Sequence, residues 1–296
     1  MCSPRRAPGC CKISSGRCGR SDVPELPEVE CVRRSLEPGL IGRRVIRSTI
    51  RRRDIITPRG IIHPLAGGTI QSLDRHGKQL AIVDHLGRAV VVRFGMTGGL
   101  MLTGSSRHPT HTHASWLLDS GMRLRFIDAR RFGGLVYAPE GPGALWAHLG
   151  PDALHIRADV LRRRLDGSRR AIKAALLDQH VLAGVGNIYA DEALHAAGLH
   201  PARPAGSLGH AESQALAGAI RTILRSAVDA GGSTIRDYRD GAGRAGLFQN
   251  RHSVYGRGGL PCLRCGHVLE MGLIAQRTTV WCPVCQPMPG QARSSC

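Results

Sequence analysis

The 296-residue chain is predicted to be an α+β multidomain protein: an N-terminal antiparallel β-sandwich with flanking helices, a helical C-terminal half, and a small cysteine-held ribbon. Three observations predict this. Short runs of strand character, Arg44–Ile50, Gln79–Val83, Ala89–Phe94 and Arg123–Ile127, are joined by tight turns such as His85-Leu86-Gly87-Arg88 and Asp119-Ser120-Gly121. Many short strands with close turns favour antiparallel packing over a parallel sheet. After residue 149 the pattern turns helical, most clearly over Ser207–Asp229, where Leu216, Ile220, Ile223, Leu224 and Ala227 share a stripe that Gly231-Gly232 ends. Finally, Cys262-Leu263-Arg264-Cys265 and Cys282-Pro283-Val284-Cys285 bracket residues 266–281. Two such pairs supply four thiolates for one tetrahedral zinc, a closed structural site with no open position for catalysis.

Composition narrows the partners. A formal net charge of +19 points to a polyanion, nucleic acid before an acidic membrane surface. Aromatic residues make up only 4%, so stacking on exposed bases is not the expected main mode of binding, and duplex is favoured over single strand. No apolar run is long enough to span a bilayer, and the first thirty residues lack a signal-peptide core. A cytoplasmic, nucleoid-associated monomer is expected. In a reducing compartment the paired cysteines read as a metal site, not as disulfides.

In order along the chain, residues 1–23 mix Arg5, Arg6, Lys12, Arg17 and Arg20 with Gly, Ser and Pro and show no apolar period, which predicts a disordered leader. Pro24-Glu25-Leu26-Pro27-Glu28-Val29-Glu30 follows. Its local chemistry fits an ordinary helix start, with proline in the first turn and acids at the positive dipole end. It also fits a nucleophile, because a terminal proline offers a secondary amine beside carboxylates that move protons. Val29, Val32 and Leu36 predict a helix over residues 28–37 stopped by Pro38-Gly39. The sandwich domain is expected to span 24–140, with the Pro/Gly-rich segment Ala138–Ala144 as boundary. A helical domain over 149–232, a loop over 233–250, the zinc module over 251–286 and a disordered tail over 287–296 complete the order.

Several motifs carry two readings each. In Gly77-Lys78-Gln79-Leu80 an isolated lysine begins a strand, which on its residues alone fits a solvated edge lysine. Gly184-Val185-Gly186-Asn187 precedes a helix, where free N–H groups form an anion site, though an Asn N-cap looks the same. Arg169-Arg170 and Lys173 just upstream fit phosphate contacts or an exposed basic helix. In Asp128-Ala129-Arg130-Arg131-Phe132-Gly133-Gly134 an aromatic and a guanidinium could replace the contacts of a flipped base, or Phe132 could be core. His111-Thr112-His113 could be a metal pair, but no third ligand is evident. Gln276-Arg277-Thr278-Thr279 sits where a two-stranded ribbon would turn and project Arg277.

These motifs, in this order from Pro24 to Cys285, resemble the formamidopyrimidine-DNA glycosylase and endonuclease VIII family of DNA-repair enzymes. The resemblance implies a helix–two-turn–helix domain and a zinc finger behind the sandwich, and double-stranded DNA with oxidised bases or abasic sites as substrate. It further implies glycosylase and abasic-site lyase activity through a Schiff base on Pro24. Glu25 is then the main acid/base and Glu28 orients the sugar, while Lys78 and Arg277 act on flanking phosphates. Arg93, His111, Arg130, Arg170, Lys173 and Asn187 become DNA contacts, with Met96, Arg130 and Phe132 as the wedge. Arg93 stands where many relatives carry histidine, and Ala129 where many carry proline, which is expected to loosen the wedge loop slightly. Gly243–Gln249 resembles the loop that closes over an oxidised purine, with Arg236 nearby, which favours 8-oxoguanine and formamidopyrimidines. The alternatives are the oxidised-pyrimidine branch and a non-catalytic DNA-binding relative whose proline is blocked. An internal proline is a non-nucleophilic amide, so translation is expected to begin at position 23, where Val23 stands for an initiator methionine removed to free Pro24.

Overall fold

The computed structural model describes residues 23–288; the expected leader and most of the expected tail lie outside them. The first element is helix α1 (Leu26–Leu40). Pro27 sits in its first turn, and the Glu25 N–H donates to the Glu28 carboxylate at 2.9 Å, half of the reciprocal pattern that stabilises helix starts. The expected stop at Pro38-Gly39 is corrected: the helix runs on to Leu40. Pro38 gives up its own N–H bond and crowds the carbonyl one turn back, but the buried Leu40 anchors the last turn and the Ile41 N–H still reaches the Glu37 carbonyl at 3.1 Å.

Nine strands follow: β1 (Val45–Ile50), β2 (Ile56–Thr57), β3 (Ile70–His76), β4 (Gln79–Asp84), β5 (Ala89–Arg93), β6 (Gly98–Thr103), β7 (Thr112–Leu118), β8 (Arg123–Asp128) and β9 (Gly134–Ala138). They form a five-stranded sheet, β2-β9-β5-β4-β3, and a four-stranded sheet, β1-β7-β8-β6. Every pairing is antiparallel except the short β2–β9 contact. Alternate inward residues such as Leu80, Ile82, Val90, Val92, Trp116 and Phe126 make the sandwich core with Val29, Val32, Leu36 and Leu40 of α1. The four expected strands appear within a residue or so of their bounds.

The expected boundary holds a turn and the short α2 (Gly143–Trp146). Beyond it α3 (Ala158–Leu165), α4 (Ile172–Leu177), α5 (Asn187–Ala197) and α6 (His210–Asp229) enclose a second core. Leu26 belongs to this core, although the rest of α1 packs on the sandwich. The first turn of α1, part of the expected 24–140 unit, is thus wedged into the helical half. Gly184 makes room for it: a side chain there would collide with Leu26. A second tie is Arg75 on β3, nearly buried, which grips Glu30 at 2.9 Å and Asp152 at 2.5 Å.

The last unit is the antiparallel ribbon β10 (Glu270–Ile274) and β11 (Arg277–Trp281). Ala275 and Gln276 turn it with positive φ at both positions, the geometry of a two-residue hairpin whose twist matches its strands.

Candidate active site and nucleic-acid interface

The first turn of α1 meets the start of α5. The Glu25 carboxylate accepts the Gly186 N–H at 2.7 Å and the Ile188 N–H at 3.0 Å. Gly186 carries no side chain because one would strike that carboxylate. The anion site expected at this helix start is thus real, but it is filled by Glu25 and not left for phosphate. Burial raises the Glu25 pKa above its ordinary value, opposed first by the nearby Lys78 charge and then by these N–H groups. Glu28 is buried beside it, accepting from the Tyr189 hydroxyl at 2.6 Å and the Ser233 N–H at 2.7 Å. Burial, then the Glu25 charge, pushes Glu28 up to about 7. Two carboxyls held close together and out of water can carry protons near neutral pH.

Pro24 and Glu28 line a cleft of about 750 Å³, counted to its open mouth, together with Met96, Thr97, Tyr238 and Asp240. Lys78 is the second residue of the two-residue turn between β3 and β4, not the start of a strand. Burial pushes its pKa down against the opposing pull of Glu25 and Glu28, and the Arg277 charge pushes the same way. Lys78 thus feels both acids and the Arg277 charge, which comes from a distant part of the chain. Arg277 is exposed at the tip of the ribbon.

The segment after β8 is a presentation loop. Phe132 is 59% exposed, which rules out a core role, and the Arg130 guanidinium lies over its ring at 4.8 Å. The Asp128 carboxylate accepts from the Arg130, Arg131 and Gly133 N–H groups at 3.2, 3.0 and 2.7 Å and from Thr97 at 2.5 Å. That clamp answers the expectation that Ala129 loosens the loop: Asp128 fixes the backbone that a proline would have stiffened. An Asp two to five residues before such N–H groups is a turn signal legible in sequence. Arg93 and His111 are exposed near this loop. His113 instead is buried, its Nε2 2.7 Å from the Asp128 carbonyl oxygen, so the two histidines do not form a metal pair.

One expected phosphate contact falls elsewhere, and a second also bonds within the protein. Lys173 is fully buried, with its ammonium 2.7 Å from Asp191 and donating to Thr279 Oγ1 at 2.8 Å and the Thr278 carbonyl at 3.0 Å. It therefore joins the helical domain to the ribbon and is not on a DNA-facing surface. Asn187 is half-buried and donates to the Thr278 carbonyl at 3.1 Å; Gly186, not Asn187, is the N-cap. Arg170 stays on the surface, paired with Asp178 at 2.8 Å.

The sequence reading missed the role of α5 as a spine. Tyr189 holds Glu28, Asp191 holds Lys173, and Glu192 accepts the N–H groups of Ser253, Val254 and Tyr255 at 2.8 to 2.9 Å. His195 Nε2 lies 3.5 Å from Cys262 Sγ. Consecutive helical turns thus address the acids, the ribbon and the zinc module in sequence. Only their polar character at helical spacing hinted at it.

Cys262, Cys265, Cys282 and Cys285 bring their sulfurs within 4.8 Å of one another, the one such group of possible ligands among the described residues. Sulfur pairs at 3.5 and 3.9 Å bracket the roughly 3.8 Å edge of a tetrahedron with metal–sulfur bonds of about 2.3 Å. The donor set fits one structural zinc.

Comparison with known proteins agrees with this geometry. Residues 23–135 match the formamidopyrimidine-DNA glycosylase N-terminal domain, 149–239 the formamidopyrimidine-DNA glycosylase H2TH domain, and 259–287 the zinc finger found in FPG and IleRS. A formamidopyrimidine-DNA glycosylase of Symbiobacterium thermophilum is 45% identical over 282 residues, covering 90% of each chain. The crystal structure of MutM (FPG) from Thermus thermophilus superposes with a TM-score of 0.80 at 42% identity, covering 90% of this chain and 99% of that one. A Lactococcus lactis Fpg in complex with DNA containing N7-benzyl-Fapy-dG gives a TM-score of 0.80 at 32% identity, over 89% of this chain and all of that one.

Proposed function

The chain belongs to the formamidopyrimidine-DNA glycosylase family, and we propose that it excises oxidised purines from duplex DNA, using Pro24 as nucleophile, and then cleaves the strand. The Pro24 nitrogen attacks C1′ of a nucleotide turned out of the helix, and the glycosidic bond breaks with release of the damaged base. A terminal amine has a pKa of about 8, so an appreciable part is neutral near pH 7. Glu25, its pKa raised by burial, exchanges protons with the sugar and the leaving base. Glu28 orients the sugar. The C1′–O4′ bond then opens, O4′ taking a proton, and leaves an iminium between C1′ and the proline nitrogen; this acidifies C2′, so the 3′ phosphate and then the 5′ phosphate leave by elimination. Lys78 and Arg277 stabilise those phosphates as negative charge gathers on them.

Arg93, His111, Arg130, Arg170 and Asn187 are assigned to the DNA backbone, and Met96, Arg130 and Phe132 to the space left by the flipped base. Residues 233–250 are assigned to the damaged base: the segment is tied to α1 by Tyr238 on the Glu28 carbonyl and by Gly241 on Ser35. Zinc, when bound by the four cysteines, holds the ribbon that carries Arg277, and takes no part in bond breaking. Removal of residues 1–23 belongs to the proposal, since only a free Pro24 amine can form the iminium. So does a monomer acting on the chromosome in the cytoplasm. No helix among the described residues is long and apolar enough to cross a membrane.

The observation that carries the reading is convergence. Pro24 and Glu25, the hairpin turn at Lys78 and the ribbon tip at Arg277 come from three separate stretches of the chain, and the Lys78 charge interacts with both Glu25 and Arg277. Borohydride trapping on an 8-oxoguanine duplex, with sequencing of the cross-linked peptide, tests it. A covalent adduct on Pro24, lost in Pro24→Gly with an acetylated amine, is expected. An adduct on another residue overturns the nucleophile. Preferential cleavage of thymine-glycol DNA would move the enzyme to the oxidised-pyrimidine branch, and binding without trapping would make it a non-catalytic relative.

A further inference from the structure

The outward face of the four-stranded sheet carries a second cationic site. Thr49, Ser115, Arg125 and Met101 lie side by side across β1, β7, β8 and β6. Arg123 stands on the same face two residues from Arg125. The segment 104–111 folds over this row and encloses a cavity of about 620 Å³, counted to its mouth, lined by Thr103, Ser105, Arg107, His108, Thr110 and Arg125 among others, with no carboxylate in its wall.

Arg125 is the unusual residue. It is 1% exposed, and its two terminal nitrogens donate to the Arg107 and Ser105 carbonyls, both at 2.6 Å. Its Nε, also buried, has no acceptor among the described residues. Carbonyls satisfy hydrogen bonds but do not neutralise a charge, and a buried guanidinium without an anion is costly. Its neighbours add to the field instead of cancelling it. The charges acting on Arg125 are those of Arg123 and Arg51. His108, though exposed, is held below its ordinary pKa by partial desolvation and then by Arg51, Arg125 and Arg123. The Thr103 and Ser105 hydroxyls accept the Ser105 and Arg107 N–H groups at 3.1 and 3.2 Å, which leaves each O–H to donate.

We propose that this cavity is a phosphate-binding site, separate from the nucleotide cleft and bordering it across Met101. Met101 lines both spaces. Buried Arg125 supplies the fixed charge, exposed Arg107 and His108 close over the ligand, and the two hydroxyls complete its shell. The ligand is a phosphate group, either that of duplex DNA running past the cleft or a free phosphate. The proposal does not rest on Pro24 chemistry and is tested apart from it.

Calorimetric titration of the full chain with inorganic phosphate, at constant ionic strength set with chloride, reads the site. The comparison is with Arg107→Gln/His108→Gln, which alters two exposed loop side chains, and separately with Arg123→Gln; unchanged melting temperatures confirm folding. The double variant should lose one phosphate-binding component or weaken it at least tenfold, and Arg123→Gln should weaken it less. Superimposable isotherms from the folded variants overturn the proposal. Duplex binding then separates the two sources. If the DNA backbone fills the site, the variants lower the salt slope on a long duplex and leave a short lesion-centred one unchanged. If only the phosphate isotherm moves, the ligand is free phosphate.

Discussion

Lys173→Met is the sharpest test of the internal architecture, because the sequence suggests a phosphate contact and the structure a buried clamp. The Lys173–Asp191 pair is completely inaccessible at 2.7 Å. Removing the lysine leaves Asp191 buried with the Val280 N–H at 3.2 Å as its remaining contact. Breaking one side of a buried pair costs about 3–5 kcal/mol. Lys173 also spans from α4 to Thr278 and Thr279 of the ribbon, so much of that loss should appear as undocking of the zinc module. At about 1.4 kcal/mol per tenfold, the undocked population rises on the order of a hundredfold or more. With rapid reclosing, zinc capture by a chromogenic chelator accelerates by the same factor. Lys173→Met/Asp191→Leu, which removes both charges, should recover most of the stability. Below the melting transition the salt slope of duplex binding should match the parent. Arg277→Ala should instead lower that slope by about one while the fold persists. The reasoning is refuted if Lys173→Met melts like the parent and its salt slope falls by one.

Three further perturbations address the cleft and its supports. Phe132→Ala should leave the melting temperature unchanged, since the ring is exposed, and impair extrusion of a base from intact duplex more than from a mispaired site; competition between the two substrates reads the difference. Cys265→Ser, or a strong chelator, should release one zinc per chain and abolish duplex binding; metal analysis with a binding titration checks both, and full nicking of 8-oxoguanine DNA by zinc-free protein would contradict it. For Glu28, a folded pKa of about 7 against an ordinary 4.5 means the protonated carboxyl is favoured by folding. Its contribution, about 3 kcal/mol by linkage, is complete below pH 4.5 and is lost as pH rises through about 7. Glu28→Gln should therefore flatten that decline in stability, followed by denaturant titration across this range.

Much of the architecture is written locally, and for that reason it was readable. The amphipathic stripe of α6, the short apolar or β-branched runs of β1, β4, β5 and β8, and the paired cysteines depend on neighbours in sequence, whose geometry is set by helical and strand periods. The edge strand β6 and the turn-bounded β7 and β9 were missed, since Gly98-Gly99 and the polar start of β7 dilute any period; their pairing across the sheets overrides weak local preference. The family motifs likewise singled out Pro24, Glu25, Lys78 and Arg277 as candidates one at a time. What the linear chain could not hold is which charges meet. Lys173 and Arg170 are both basic residues near a helix start, yet one is sealed against Asp191 and the other lies on the surface. The N-terminus of α5 looks like an anion site in any sequence, but only folding delivers Glu25 to it across 161 residues. Burial and Coulomb energy depend on distance in space, which topology sets. A carboxylate's partner, and so its pKa and its chemistry, is therefore decided by tertiary structure alone.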